Sequence, residues 1–102
     1  MKTRKLIALM VLLLVTAGVQ AGGDAARGAE LAEDCAMCHG DDGLGDDHFP
    51  AIAGQDEAVF IKKMTGFKTG AVANLDMEEF VVDLSEQDIA DLAAYYSALP
   101  GK

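Results

Sequence analysis

Cys35 and Cys38 stand three residues apart and His39 follows at once, as Cys35-Ala36-Met37-Cys38-His39. Two thiols at this spacing can add across the vinyl groups of a porphyrin and fix it by thioether bonds. The histidine next in the chain is then held under the iron, where an imidazole nitrogen can coordinate it. The same residues admit other chemistry. A thioredoxin-like dithiol wants a strand before the motif and an alternating β-α pattern around it, and the sequence has neither. A zinc site needs two further ligands, for which only His48 or carboxylates are at hand. A Cys35-Cys38 disulfide closes too short a loop to stabilise the chain much and leaves His39 without a task. One covalently bound haem c uses all three residues.

The second axial position decides what such an iron can do, because a filled site transfers electrons while an open one binds ligands or substrate. Beyond residue 21 the candidates are Met37, Met64, Met77 and His48. Met37 is inside the attachment motif and cannot reach the opposite face. Met64 falls on an apolar helical stripe, where a methionine is usually core filler. His48 follows His39 closely, in a loop on the proximal side. Met77 lies 38 residues beyond His39, far enough to cross to the distal face, in a stretch with no helical stripe of its own. Spacing alone leaves it either an axial ligand or an ordinary core residue.

The elements that must position these groups read as helices. The first spans about 25–34, with Asp24 as N-cap and residues of good helix propensity, and leads directly into the cysteine motif. Residues 40–53 are rich in turn formers and read as a loop. The run Asp41-Asp42-Gly43-Leu44-Gly45-Asp46-Asp47 lacks the ligand positions and closing glutamate of an EF-hand and reads as solvated. A second helix over about 56–67 puts Phe60, Ile61, Met64 and Phe67 on one stripe, with Lys62, Lys63 and Lys68 away from it, and Gly70 as its stop. Residues 71–84 suit a loop and a short helix. The last helix opens on the capping-box-like Ser85-Glu86-Gln87-Asp88, buries Ile89, Leu92, Ala93, Tyr96 and Leu99, and ends at Pro100-Gly101. No segment alternates as a strand does, so the class is all-α.

Length and charge bound the rest. The first 21 of 102 residues resemble an export signal, with Lys2, Arg4 and Lys5 before an apolar run from Leu6 to Val15 and small residues at Val19-Gln20-Ala21. Cleavage after Ala21 leaves residues 22–102 as one domain. The apolar run is shorter than the ~20 residues a spanning helix needs, so no stable membrane insertion is expected after cleavage. The leader carries three of eight basic residues and none of seventeen acidic ones, so the mature chain has five against seventeen, a net charge of −12. Such a surface disfavours nucleic acid and anionic lipid and favours a partner with a basic patch. About eighty residues also bury little core, which a large apolar cofactor would supplement.

With its motifs in view, the chain resembles the class I c-type cytochromes, specifically the small soluble bacterial monohaem kind. The resemblance covers about residues 24–99 and rests on Cys35-Ala36-Met37-Cys38-His39-Gly40, on Phe49-Pro50-Ala51-Ile52-Ala53-Gly54-Gln55, on the spaced Phe67 and Gly70, and on the run from Leu84 to Tyr96. It implies the cytochrome c fold, with three main helices and a short one wrapped around one covalent haem c. It implies His39 and Met77 as axial ligands to the haem iron, Cys35 and Cys38 as the thioether residues, and the Pro50 carbonyl as acceptor of the other ring N–H of His39. Gly28 matches the small residue that lets the first and last helices cross, with Tyr95 or Tyr96 against it. The chain departs from the pattern at Val59, where relatives often have an aromatic hydroxyl, and at Ala71-Val72, near which they often have an arginine. Contacts to the haem propionates are therefore not carried over.

The expected role is a periplasmic, monomeric single-electron carrier between respiratory redox partners, not an enzyme. Two alternatives stand beside it. One is a haem protein with an open distal site and peroxidase-like or ligand-sensing chemistry. The other is a haem subunit of a larger respiratory complex.

Overall fold

The computed structural model describes residues 22–102; the expected export signal lies outside them. Four helices follow in order: α1 (Ala25–His39), α2 (Glu57–Thr69), α3 (Leu75–Val81) and α4 (Glu86–Ala98). The class is all-α, with no strand among the described residues.

Each helix starts where a short polar side chain can satisfy otherwise unpaired backbone N–H groups. Asp24 accepts from Ala26 and Arg27 at the head of α1, Asp56 from Val59 at α2, and Asn74 from Met77 at α3. At α4 the Ser85 side chain accepts from the Asp88 N–H while the Asp88 carboxylate accepts from the Ser85 N–H, a full capping box. Helix α2 ends on Gly70 at φ 86°, a left-handed position open to glycine.

Helix α1 outruns its expected end by a full turn and carries the whole cysteine motif on helical backbone. The reason is local: Cys35, Ala36, Met37 and Cys38 contain no breaker, and the chain turns only at Gly40, with φ 88°.

The core lies where α1 crosses α4. A Cβ on Gly28 would stand 2.1 Å from the Asp91 carbonyl oxygen and 2.9 Å from the Tyr95 Cβ, so only glycine allows this approach. Ala32, Phe60, Met64, Val81, Ile89, Leu92, Ala93 and Tyr96 are buried together, and Phe60 stacks on Tyr96 with ring centroids 5.8 Å apart. Leu92 is 1% exposed; burying such a side chain contributes roughly 1.5–3 kcal/mol.

One buried charge accompanies this apolar contact. Asp91, also 1% exposed, accepts from the Asp24 backbone N–H at 2.7 Å, from Gln87 Nε2 at 2.8 Å and from Arg27 Nη1 at 2.8 Å. Arg27 bonds Asp88 as well, at 2.6 Å. With both oxygens hydrogen-bonded, the carboxylate clasps the head of α1 to the middle of α4. Burial alone would raise the Asp91 pKa, but the bonds from Asp24, Gln87 and Arg27 outweigh it and hold the group below the ordinary carboxylate range. No local pattern in the sequence marks Asp91, since its partners lie up to 67 residues away.

Candidate haem site

Cys35 and His39 are four residues apart on α1 and therefore share one face of the helix, with Cys38 beside them. Both cysteines are partly buried free thiols. Burial pushes the Cys35 pKa up, the nearby Tyr96 hydroxyl partly offsets this, and the Asp34 charge adds to it. A thiol held in its neutral form in this way is a poor spontaneous nucleophile and a stable apolar neighbour.

His39 closes α1 and is buried at 8% exposure. Its Nδ1 lies 2.8 Å from the Pro50 carbonyl oxygen, which can only accept, so Nδ1 carries the proton and Nε2 presents a lone pair. The Phe49 ring meets the imidazole edge-on, with centroids 6.2 Å apart.

The loop 40–54 that aims Pro50 is more ordered than its composition implies. Gly45 donates to the His39 carbonyl at 2.8 Å, Ile52 and Ala53 both donate to the Gly43 carbonyl, and Gly54 donates to the Tyr96 carbonyl of α4. Asp46 accepts from the backbone N–H groups of His48 and Phe49 at 2.7 and 3.0 Å, and these bonds lower its pKa. Gly43 and Gly45 sit at φ 71° and 67°; a Cβ on Gly45 would come within 2.2 Å of the Phe49 carbonyl oxygen. The acidic run is thus not merely a solvated loop: Asp46 is a turn former and part of the brace behind His39. Its signal in the sequence is an aspartate two residues before His48 among flanking glycines, the pattern of an Asx turn.

Helix α3 brings in Met77. Its backbone N–H is the one capped by Asn74, at 3.1 Å, which fixes the first turn, and its side chain is half-buried against the core. Met77 and Cys35 line the same cavity, of about 220 Å³, together with Leu31, Met64 and Leu92. Of the other sulfur and imidazole candidates, Met64 lines the same cavity from the buried core, at 6% exposure, while Met37 is 76% exposed and His48 is exposed in the loop. Val59 and Val72 are 46% and 45% exposed and offer no polar group. Lys62 and Lys63 are exposed, but Lys68 does not share their solvated face, because its ammonium bonds the Leu84 carbonyl.

These residues fit a covalent porphyrin. A pair of free thiols and an imidazole with its lone pair available share one helix, and a cavity with an apolar side of Leu31, Met64, Phe80 and Leu92 and an acidic side of Glu30, Glu33 and Asp34 opens beside Cys35 and Met77; Cys38 and His39 are not among the residues that line it. Among the described residues no three His, Cys, Asp or Glu side chains converge as a site for a bare metal ion. No helix of the described residues is long and apolar enough to cross a membrane.

Comparison with known proteins agrees with this chemistry. The family model described as cytochrome c matches residues 25–99. A cytochrome c4 of Pseudomonas aeruginosa is 40% identical over 94 residues, covering 91% of this chain and 47% of its own length. The crystal structure of reduced cytochrome c4 from Pseudomonas stutzeri superposes with a TM-score of 0.72 at 34% identity, over 78% of this chain and 47% of the other. A thiosulfate dehydrogenase from Marichromatium purpuratum gives a TM-score of 0.70 at 32% identity, over 74% of this chain but 18% of that one. The chain thus spans about half the length of the cytochromes c4 it matches.

Proposed function

The chain belongs to the cytochrome c family, as a class I c-type cytochrome with one covalent haem c, and from this we propose that it is a single-electron carrier of the periplasm with His39 and Met77 as axial ligands. When bound, haem c supplies an iron that exchanges one electron between its ferric and ferrous states. Cys35 and Cys38 hold the porphyrin by thioether bonds, which prevents its loss outside the cytoplasm. His39 would present Nε2 to the iron while the Pro50 carbonyl accepts a hydrogen bond from Nδ1–H, fixing the ring and strengthening it as a donor. Met77, on the first turn of α3, would hold the iron through its sulfur and so keep substrate and small ligands out. Leu31, Met64 and Leu92 exclude water around the site, and burial with methionine ligation favours the ferrous state and a comparatively high potential.

The observation that supports this role is that Cys35 of the attachment motif and Met77 of α3 line one cavity. The deciding experiment is the absorption spectrum of the oxidised holoprotein. A sulfur-to-iron charge-transfer band at the near-infrared edge is expected, and its absence sinks the methionine ligand and with it the closed-site carrier.

A second role, haem subunit of a larger assembly, draws on the 18% share that the matching region takes of the thiosulfate dehydrogenase chain. Sedimentation of the protein purified under gentle conditions separates the two: a particle of the chain's own mass supports the free carrier, and a larger one the subunit.

A further inference from the structure

The backbone that follows α4 turns back onto the loop that carries Pro50. Helix α4 stops at Ala98, Leu99 is extended with φ −78° and ψ 149°, and Pro100 fixes the next φ through its ring. Gly101 is thereby laid against Gly54. A Cβ on Gly101 would find ordinary contacts, 3.4 Å from the Ala53 carbonyl oxygen and 3.6 Å from the Gly54 Cα. In the other direction there is no room. A Cβ on Gly54, which holds φ 77°, would stand 2.8 Å from the Gly101 Cα and 2.9 Å from the Gly101 nitrogen. Both are backbone atoms, so no rotamer change can relieve the contact.

The loop is held at this end from two further directions. Gly54 donates its N–H to the Tyr96 carbonyl at 2.8 Å, and a Cβ on Gly43 would come within 3.0 Å of the Tyr96 ring and 3.2 Å of the Ala53 Cβ. The Lys102 charge also lies near enough to Asp46 to help lower its pKa, after the larger effects of the His48 and Phe49 N–H bonds. Backbone hydrogen bonds then connect the seat to the imidazole. Ile52 and Ala53 donate to the Gly43 carbonyl at 2.7 and 3.0 Å, Asp46 donates to the Phe49 carbonyl at 2.8 Å, and the next carbonyl, Pro50, meets His39 Nδ1.

We propose that Leu99–Gly101 is a positioning strap for the proximal ligand: seated on Gly54, it fixes the Pro50 carbonyl against His39 and so sets the donor strength of the imidazole. The proposal rests on His39 as axial ligand and adds that this ligand is tuned from beyond the end of α4.

The test uses the full-chain holoprotein, with the His39 ring N–H followed by NMR in the ferrous state and the midpoint potential measured on the same samples. Gly54→Ala is compared with Gly70→Ala. Both glycines hold a left-handed φ, 77° and 86°, but a Cβ on Gly70 meets nothing within 4 Å, so the backbone strain is matched and only the seat differs. In Gly54→Ala the His39 Nδ1–H should exchange with solvent about tenfold faster and the potential should rise. Gly70→Ala should leave both at wild-type values, whatever it loses in stability. Pro100→Gly, at an exposed position outside α4, loosens the strap without crowding the loop. Its exchange should quicken by about two- to fivefold, and it decides the case if Gly54→Ala does not fold. Wild-type exchange and potential in Pro100→Gly and in a folded Gly54→Ala, or an equal change in Gly70→Ala, would overturn the strap while leaving His39 as ligand. A ferric wild type whose His39 ring protons lack the large paramagnetic shift of an iron-bound imidazole would remove the ligand itself, and the strap with it.

Discussion

His39 and Pro50 are joined by a 2.8 Å bond from ring nitrogen to carbonyl oxygen, across a loop of ten residues that exists largely to hold that oxygen in place. Gly45 binds the loop back to the His39 carbonyl, Asp46 pins the turn before Phe49, and Gly54 ties its far end to Tyr96. If His39 binds the iron as proposed, its strength as a donor would depend on backbone geometry some distance along the chain.

Gly45→Ala tests this brace. The added methyl would fall within 2.2 Å of the Phe49 carbonyl and 2.6 Å of the Pro50 carbonyl, at a φ of 67° that alanine resists. A stability loss of about 1–3 kcal/mol is expected by urea denaturation. The midpoint potential should rise, because an imidazole that loses its N–H acceptor is a weaker donor to the ferric state. A destabilised variant with an unchanged potential would show that the Pro50 contact orients the ring without tuning it.

Met77→Ala should abolish the charge-transfer band of the oxidised protein, lower the midpoint potential and admit added imidazole to the iron. The fold should survive, since Met77 is only half-buried. An unaltered spectrum would reassign Met77 to the core.

Asp91→Asn should cost about 2–3 kcal/mol in chemical denaturation, less than a fully buried pair because the Arg27 side chain is 48% exposed. The sign of the pH dependence follows from the lowered native pKa values of Asp91 and Asp88, the latter set first by the Ser85 backbone N–H and then by Arg27. Their contribution is complete above the ordinary aspartate value of about 3.9 and is lost as pH falls through that value towards the lower native ones. Wild-type stability should fall along an acid limb that Asp91→Asn flattens; parallel limbs would place the acid sensitivity elsewhere.

Gly28→Ala puts a methyl 2.1 Å from the Asp91 carbonyl, on backbone that cannot swing aside. Overpacking of this kind costs about 1–3 kcal/mol, visible as a lower thermal midpoint. A neutral result would mean that α1 and α4 can part more readily than their spacing implies.

What the sequence revealed was what neighbouring residues decide. Asp24, Asp56 and Ser85 act on N–H groups two or three residues on, and Gly70 needs only its own φ, so helix starts and stops were legible. The attachment motif and the apolar stripes of α2 and α4 were legible for the same reason. The end of α1 was not, because a functional motif suggested a boundary where the backbone has none. Asp91 was hidden, its charge making sense only once Asp24 and Arg27 arrive from the other end of the chain. Lys68 was misplaced because a carbonyl acceptor at Leu84 leaves no mark on amphipathic spacing. Asp46 lay within a run of like residues, and composition obscured its individual bonds.

The clasp between Asp24 and Asp91 has a mechanical consequence. A pull applied to the chain at residue 22 meets the Asp24–Asp91 bond before it reaches α1 and the Arg27–Asp91 bond in the first turn, and the load passes sideways into α4. At 1.5 Å per residue, the cysteines lie about 16–21 Å further along α1 from that anchor. A tether attached at this end would tug on a rivet and leave the helix that carries the porphyrin slack.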